Sequence, residues 1–141
     1  MLLKHKIAGG DFVNAGNVAS SVKKILRQIN IDHLVAKRVV IALYEAEVNV
    51  VAHAYSGIAE IEIDEEKICM KIVDSGPGIP DIDKAMEEGY STASPHVREM
   101  GFGAGMGLAN MKKNSDIMKI SSIPGKGTEV ELIAYLKTDA A

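Results

Sequence analysis

Two hydrophobic periods run along this chain, and together they assign most of its elements. Val18, Val22, Ile25, Leu26 and Ile29 recur at the spacing of a helix with one buried face, expected to end near Asn30. Asn14 or Asn17 is the predicted N-cap. A second helix is predicted from about Asp32 to Tyr55, closed by Ser56-Gly57. Val35, Val39, Val40, Ile41, Leu43, Val48, Val50 and Val51 make it apolar nearly all round, so it should be largely buried. A period of two takes over at 58–64, with Ala59, Ile61 and Ile63 on one face and Glu60, Glu62 and Asp64 on the other. After a turn, Ile68, Met70 and Ile72 mark a second strand, completing an antiparallel hairpin with one solvated face. Residues 2–8 carry a fainter strand pattern.

Further on, Asp81 to Glu88 is short and compatible with a helix, and 89–103 has no period, as in a long mobile loop. A helix follows from about Ala104 to Asn114, then strands near 116–123 and 128–136 around the turn Pro124-Gly125-Lys126-Gly127. The economical packing is a two-layer α+β sandwich, with helices on one face of a mixed, mostly antiparallel sheet. At 141 residues one domain spanning 1–141 is expected.

Composition narrows the function classes. Hydrophobic residues make up 47% and charged residues 25%, ordinary for a soluble globular protein. A net charge of -3 argues against direct nucleic-acid binding. The single cysteine, Cys69, excludes an internal disulfide and a zinc cluster, and its apolar neighbours mark it as a small buried hydrophobe. No apolar run approaches the ~18 residues that span a bilayer, and Met1 to Lys6 has no signal-like stretch. A cytoplasmic protein without membrane contact is expected. Nine of the 13 glycines lie between Gly76 and Gly127, which concentrates unusual backbone geometry in the second half.

Four groups of residues have the chemistry of a site. Glu45 and Asn49 stand four apart on the buried helix and so share a face, with His53 a turn further on. Taken alone, this stripe also fits the solvated edge of a helix, and His53 fits a packing role. Asp74 follows a strand and precedes Gly76 and Gly78, which let a planar group approach the backbone; an ordinary Gly-Pro turn fits equally. Gly101, Gly103, Gly105 and Gly107 alternate in the run that ends at Leu108 and passes at once into a helical pattern, pointing amides at an anion site, or forming a hinge. It is neither a dinucleotide fingerprint nor a Walker loop. Thr128 closes Gly125-Lys126-Gly127-Thr128, a tight turn that leaves its hydroxyl available to a neighbouring pocket.

In this order the four boxes resemble the GHKL ATPase superfamily over roughly residues 35–130. The small size, Pro77-Gly78-Ile79-Pro80-Asp81-Ile82 and Glu88-Gly89-Tyr90-Ser91-Thr92 are similar to the anti-sigma factor and switch-protein serine kinases. That resemblance implies the histidine kinase-like ATPase fold and an ATP-dependent serine/threonine protein kinase. Such a kinase phosphorylates a small antagonist protein and so regulates transcription through a sigma factor. It implies Asn49 as the Mg²⁺ ligand, Glu45 as general base, and Asp74 and Thr128 at the adenine, with Gly76 and Gly78 shaping that pocket. Gly101, Gly103, Gly105, Gly107 and Leu108 would hold the phosphates, and 89–103 would form a lid. One oxygen ligand suffices for Mg²⁺, which keeps several waters, and phosphoryl transfer needs mainly positioning and charge neutralisation. A second possibility is a nucleotide-binding anti-sigma protein that sequesters its partner without phosphotransfer. The partly apolar N-terminal segment is suited to a homodimer. Glu47 departs from the pattern, standing where a small or neutral residue is expected, and the loop 93–100, with Arg98, is longer than in the compact switch kinases.

Overall fold

The computed structural model describes residues 1–79, 81–86 and 107–136. The loop 89–103, Pro80, Gly101, Gly103, Gly105 and the first turn expected for the helix after them lie outside the described residues.

The chain starts with β1 (Leu2–Ala8), then α1 (Asn17–Gln28) and α2 (His33–His53). The hairpin β2 (Ser56–Ile63) and β3 (Lys67–Ser75) follows, then one helical turn, α3 (Ile82–Ala85). Helix α4 (Gly107–Lys113) leads into β4 (Ile117–Ile123) and β5 (Gly127–Tyr135). Among the described residues the strands form one sheet in the order β1-β2-β3-β5-β4. It is antiparallel at every pairing rather than mixed.

Register explains the core. Ile61 pairs with Met70, Met70 with Leu132, and Ile72 with Val130, so the inward residues of three strands form continuous rows. These rows are buried in one cluster with Val39, Leu43, Ala46 and Val50 of α2. Helix α2 thus lies on one face of the sheet, with α1 and α4 packed against it. Burying this apolar surface is the main stabilising contribution, at about 25 cal/mol per Å². The opposite face carries the ion pairs Lys4–Glu60, 3.5 Å, and Lys71–Glu129, 3.0 Å. Exposed pairs of this kind add little to stability, but they keep that face wet.

Two helix ends differ from expectation. Asn14 and Asn17 do not cap α1: Asn17 donates to Asn14, and Asn14 donates to Asp11. The N-cap is Gly16, in a left-handed conformation, and the amides at the start of the helix are satisfied from a distance by Glu47 of α2. Helix α2 does not close on Ser56-Gly57. It ends at His53, where Ala54 turns extended, and Ser56 and Gly57 already belong to β2. The Asp32 start is as predicted, its carboxylate accepting from the Leu34 and Val35 amides. No helix among the described residues is long and apolar enough to cross a membrane.

Candidate functional site

Helix α2 supplies one wall of the site. Along α2, Glu45, Asn49 and His53 are each partly covered, whereas Ala46, Glu47, Val48, Val50 and Val51 between them are buried. Asn110 of α4 donates to Glu45 Oε1 at 3.2 Å. The same carboxylate faces the start of α4, since a Cβ placed on Gly107 would lie 3.6 Å from Glu45 Oε2. Burial pushes the Glu45 carboxyl above its ordinary value, and the Asn110 bond partly offsets this. Asn49 makes no side-chain hydrogen bond to the described residues, so its amide oxygen remains available to a ligand. Burial lowers the His53 imidazole.

The end of β3 carries the second group of candidate residues. Asp74 Oδ1 accepts from the Thr128 amide at 3.1 Å. Burial pushes its carboxyl up, with that amide pulling partly back. The loop after Asp74 is strapped to the β4–β5 turn: Gly76 N–H donates to Lys126 O at 3.0 Å, and Gly125 N–H to Pro77 O at 2.8 Å. Two glycines are required by this crossing. A Cβ on Gly127 would collide with the Asp74 carbonyl, and one on Gly78, at φ 77°, would lie 2.7 Å from Ile123 O. The segment just after α2 is tied to the same strand end, because Tyr55 N–H donates to Ser75 O at 2.8 Å.

The structure therefore gathers Asp74, Gly76, Gly78 and Thr128 into one assembly, and Glu45 of α2 and Gly107 of α4 into another. Leu108 is buried in the core, so its side chain has a packing role. Gly101, Gly103 and Gly105 lie outside the described residues. Among the described residues no group of three or more His, Cys, Asp or Glu side chains is arranged to hold a metal. Mg²⁺ needs few protein groups and prefers hard oxygens, so the half-buried Asn49 amide fits it.

Two residues escaped the sequence reading. Asn110 is three positions after Gly107, on the same helix face, and that spacing was the available signal. Ser122 is the cross-strand partner of Thr128, which becomes apparent only once the β4–β5 register is known.

The whole pattern agrees with known proteins. Residues 11–134 match the family model described as histidine kinase-like ATPase domain. The chain is 35% identical over 131 residues to the serine/threonine-protein kinase RsbT of Bacillus subtilis, covering 90% of each chain. It is 37% identical over 103 residues to an anti-sigma F factor of a Thermoanaerobacter species, covering 70% of this chain and 68% of that protein. In fold it is similar to the crystal structure of the RsbU and RsbW domains of a Mycobacterium tuberculosis protein, with a TM-score of 0.62 and 18% identity. There 98% of this chain is covered, while the match spans only 34% of that longer chain. The mycobacterial sensor histidine kinase MprB is also similar, at a TM-score of 0.54 and 15% identity, with 94% and 97% of the chains covered. With a carboxylate at the end of β3, a Glu-Asn stripe on the buried helix and a sequence match across nearly the whole chain, this protein belongs to the histidine kinase-like ATPase family, in its anti-sigma factor and switch-kinase branch.

Proposed function

We propose that this chain is an ATP-dependent serine/threonine protein kinase of the anti-sigma type. It binds ATP between α2, the end of β3, α4 and the start of β5. It passes the γ-phosphoryl group to a hydroxyl of a small antagonist protein, and so controls how much of a sigma factor is free. Residues 1–141 act as one ATP-binding unit. The observation that carries the reading is the Glu45 carboxylate held by Asn110 against the start of α4, where the glycine ribbon ends. A carboxylate so placed, with its proton affinity raised by burial, is suited to accept the proton of an attacking hydroxyl.

The other residues hold the nucleotide. Asp74 accepts a hydrogen bond from the adenine amino group, beside Thr128, and Gly76 and Gly78 keep the backbone close enough for a flat ring to lie against it. Gly101, Gly103, Gly105 and Gly107 present amides to the phosphates, with Leu108 contributing through its backbone. Asn49 would hold Mg²⁺, which when bound neutralises phosphate charge. The resemblance to RsbT, a kinase by name, supports transfer. The resemblance to anti-sigma F factors supports a second reading, a protein that sequesters its partner with nucleotide as ligand.

The two readings are separated by incubating the chain with γ-labelled ATP and the small proteins encoded beside it. Transfer of label to a serine or threonine is expected, and Glu45→Ala should bind ATP yet transfer none. Asp74→Asn, which loses a charge-assisted bond of about 1.5–3 kcal/mol, should bind ATP roughly 10- to 150-fold more weakly. Tight partner binding without any labelled product would favour sequestration. Unchanged transfer by Glu45→Ala would remove it as base.

A further inference from the structure

Hydrogen-bond polarity at the β4–β5 turn determines what Thr128 can offer a ligand. Ser122 Oγ has three neighbours: the Ile79 amide at 2.7 Å, the Gly127 carbonyl at 3.0 Å and Thr128 Oγ1 at 2.9 Å. An amide only donates and a carbonyl only accepts, while a serine hydroxyl has one proton and two lone pairs. All three contacts are satisfied together in one way. Ser122 accepts from the Ile79 N–H, gives its proton to Gly127 O, and accepts the Thr128 proton. The Thr128 hydroxyl is then spent as a donor and presents only lone pairs to anything else. Asp74 beside it is an acceptor too, with Oδ1 taking the Thr128 amide and no hydrogen bond to Oδ2 from the described residues.

We propose that Ser122 is a positioning residue for base selection: by taking the Thr128 proton it leaves only acceptors to face the 6-substituent of a bound purine, which suits a 6-amino group, a donor, and opposes a 6-oxo group, an acceptor. This rests on the adenine site proposed above. Ser122 needs no contact with the base, because its effect passes through the Thr128 hydroxyl. The same serine anchors the Ile79 amide, and so holds the Gly76–Ile79 loop at the position where the ring would lie. A purely structural role would lower affinity for every nucleotide alike, whereas control of polarity changes the ratio between nucleotides.

The test is calorimetric binding of ATP and of inosine triphosphate to the full chain, wild type and variants. Wild type should prefer ATP, and Ser122→Ala, which frees the Thr128 hydroxyl to rotate and donate, should reduce that preference by about tenfold, one hydrogen bond's worth. Ser122→Thr keeps the hydroxyl and should retain the wild-type ratio. In a Thr128→Val background, Ser122→Ala should leave the ratio where Thr128→Val alone puts it, since there is no longer a hydroxyl to orient. Thr128→Val leaves Ile79 anchored and by itself should also lower the preference, which keeps the proposal testable should Ser122→Ala not fold. An ATP preference unchanged in Ser122→Ala or in Thr128→Val overturns the role of Ser122 while leaving the adenine site intact. Failure of wild type to bind either nucleotide overturns the site itself.

Discussion

Glu45 shows what a half-buried carboxylate costs its fold. It is half-buried with one hydrogen bond, and its carboxyl is raised above an ordinary value of 4.5. A carboxyl with a raised folded-state pKa holds its proton more tightly in the native chain than in the unfolded one. The native state therefore loses stability as pH climbs through about 4.5 and carries the full penalty above the raised value. Glu45→Gln is thus expected to be more stable than wild type at pH 7, with the gain vanishing as pH falls below about 4.5. Thermal midpoints at pH 7 and pH 4 measure this, and an equal gain at both would attribute it to shape instead of charge. Asp74 is displaced in the same direction by the same cause. The carboxylates that hold turns behave oppositely: Asp64 is held low by the Glu66 and Lys67 amides. Asp116, against the pull of its burial, is held low by the Tyr135 amide and Arg38.

At the scale of elements, α1 and α2 are joined by a bond that no local pattern announces. Glu47 is 2% exposed and accepts three backbone amides at the start of α1: Gly16 at 3.0 Å, Val18 at 3.1 Å and Ala19 at 3.0 Å. A helix start leaves several N–H groups without partners and carries partial positive charge, so a buried carboxylate there is compensated. Glu47→Ala would leave three buried donors unsatisfied and is expected to cost about 3 kcal/mol, read as a fall in urea midpoint at unchanged slope. Glu47→Gln, with a single acceptor oxygen, should fall between the two. This is also the position at which the resembled family's pattern leads to the expectation of a small or neutral residue. Periodicity made the strands, both long helices and the side of α2 that faces the crevice legible, because those are local properties. The α1 cap, the Asn110–Glu45 bond and the Ser122–Thr128 pair join residues far apart in sequence or across a register, which spacing does not encode. Asp74 and Thr128 lie 54 residues apart, and only the recurrence of known boxes in order put them in one site before the β3–β5 pairing did.

For the whole molecule, the proposed site makes a statement about stability that needs no partner protein. A ligand that binds only the native state at 100 times its dissociation constant adds about 2.7 kcal/mol. In a chain of 141 residues that corresponds to a rise in melting temperature of roughly 9 °C. ATP with Mg²⁺ should produce a shift of this order. Adding a chelator to wild type should remove one part of it, the part that depends on the cation. Asn49→Ala with Mg²⁺ present should lose a similar part while keeping the contribution of the base, assigned in the proposal to Asp74 and Thr128. Chelator added to Asn49→Ala should then change little more, because two perturbations of one interaction are not additive. If instead the chelator removes as much from Asn49→Ala as from wild type, the cation is held elsewhere, and Asn49 belongs to the helix surface rather than to the nucleotide.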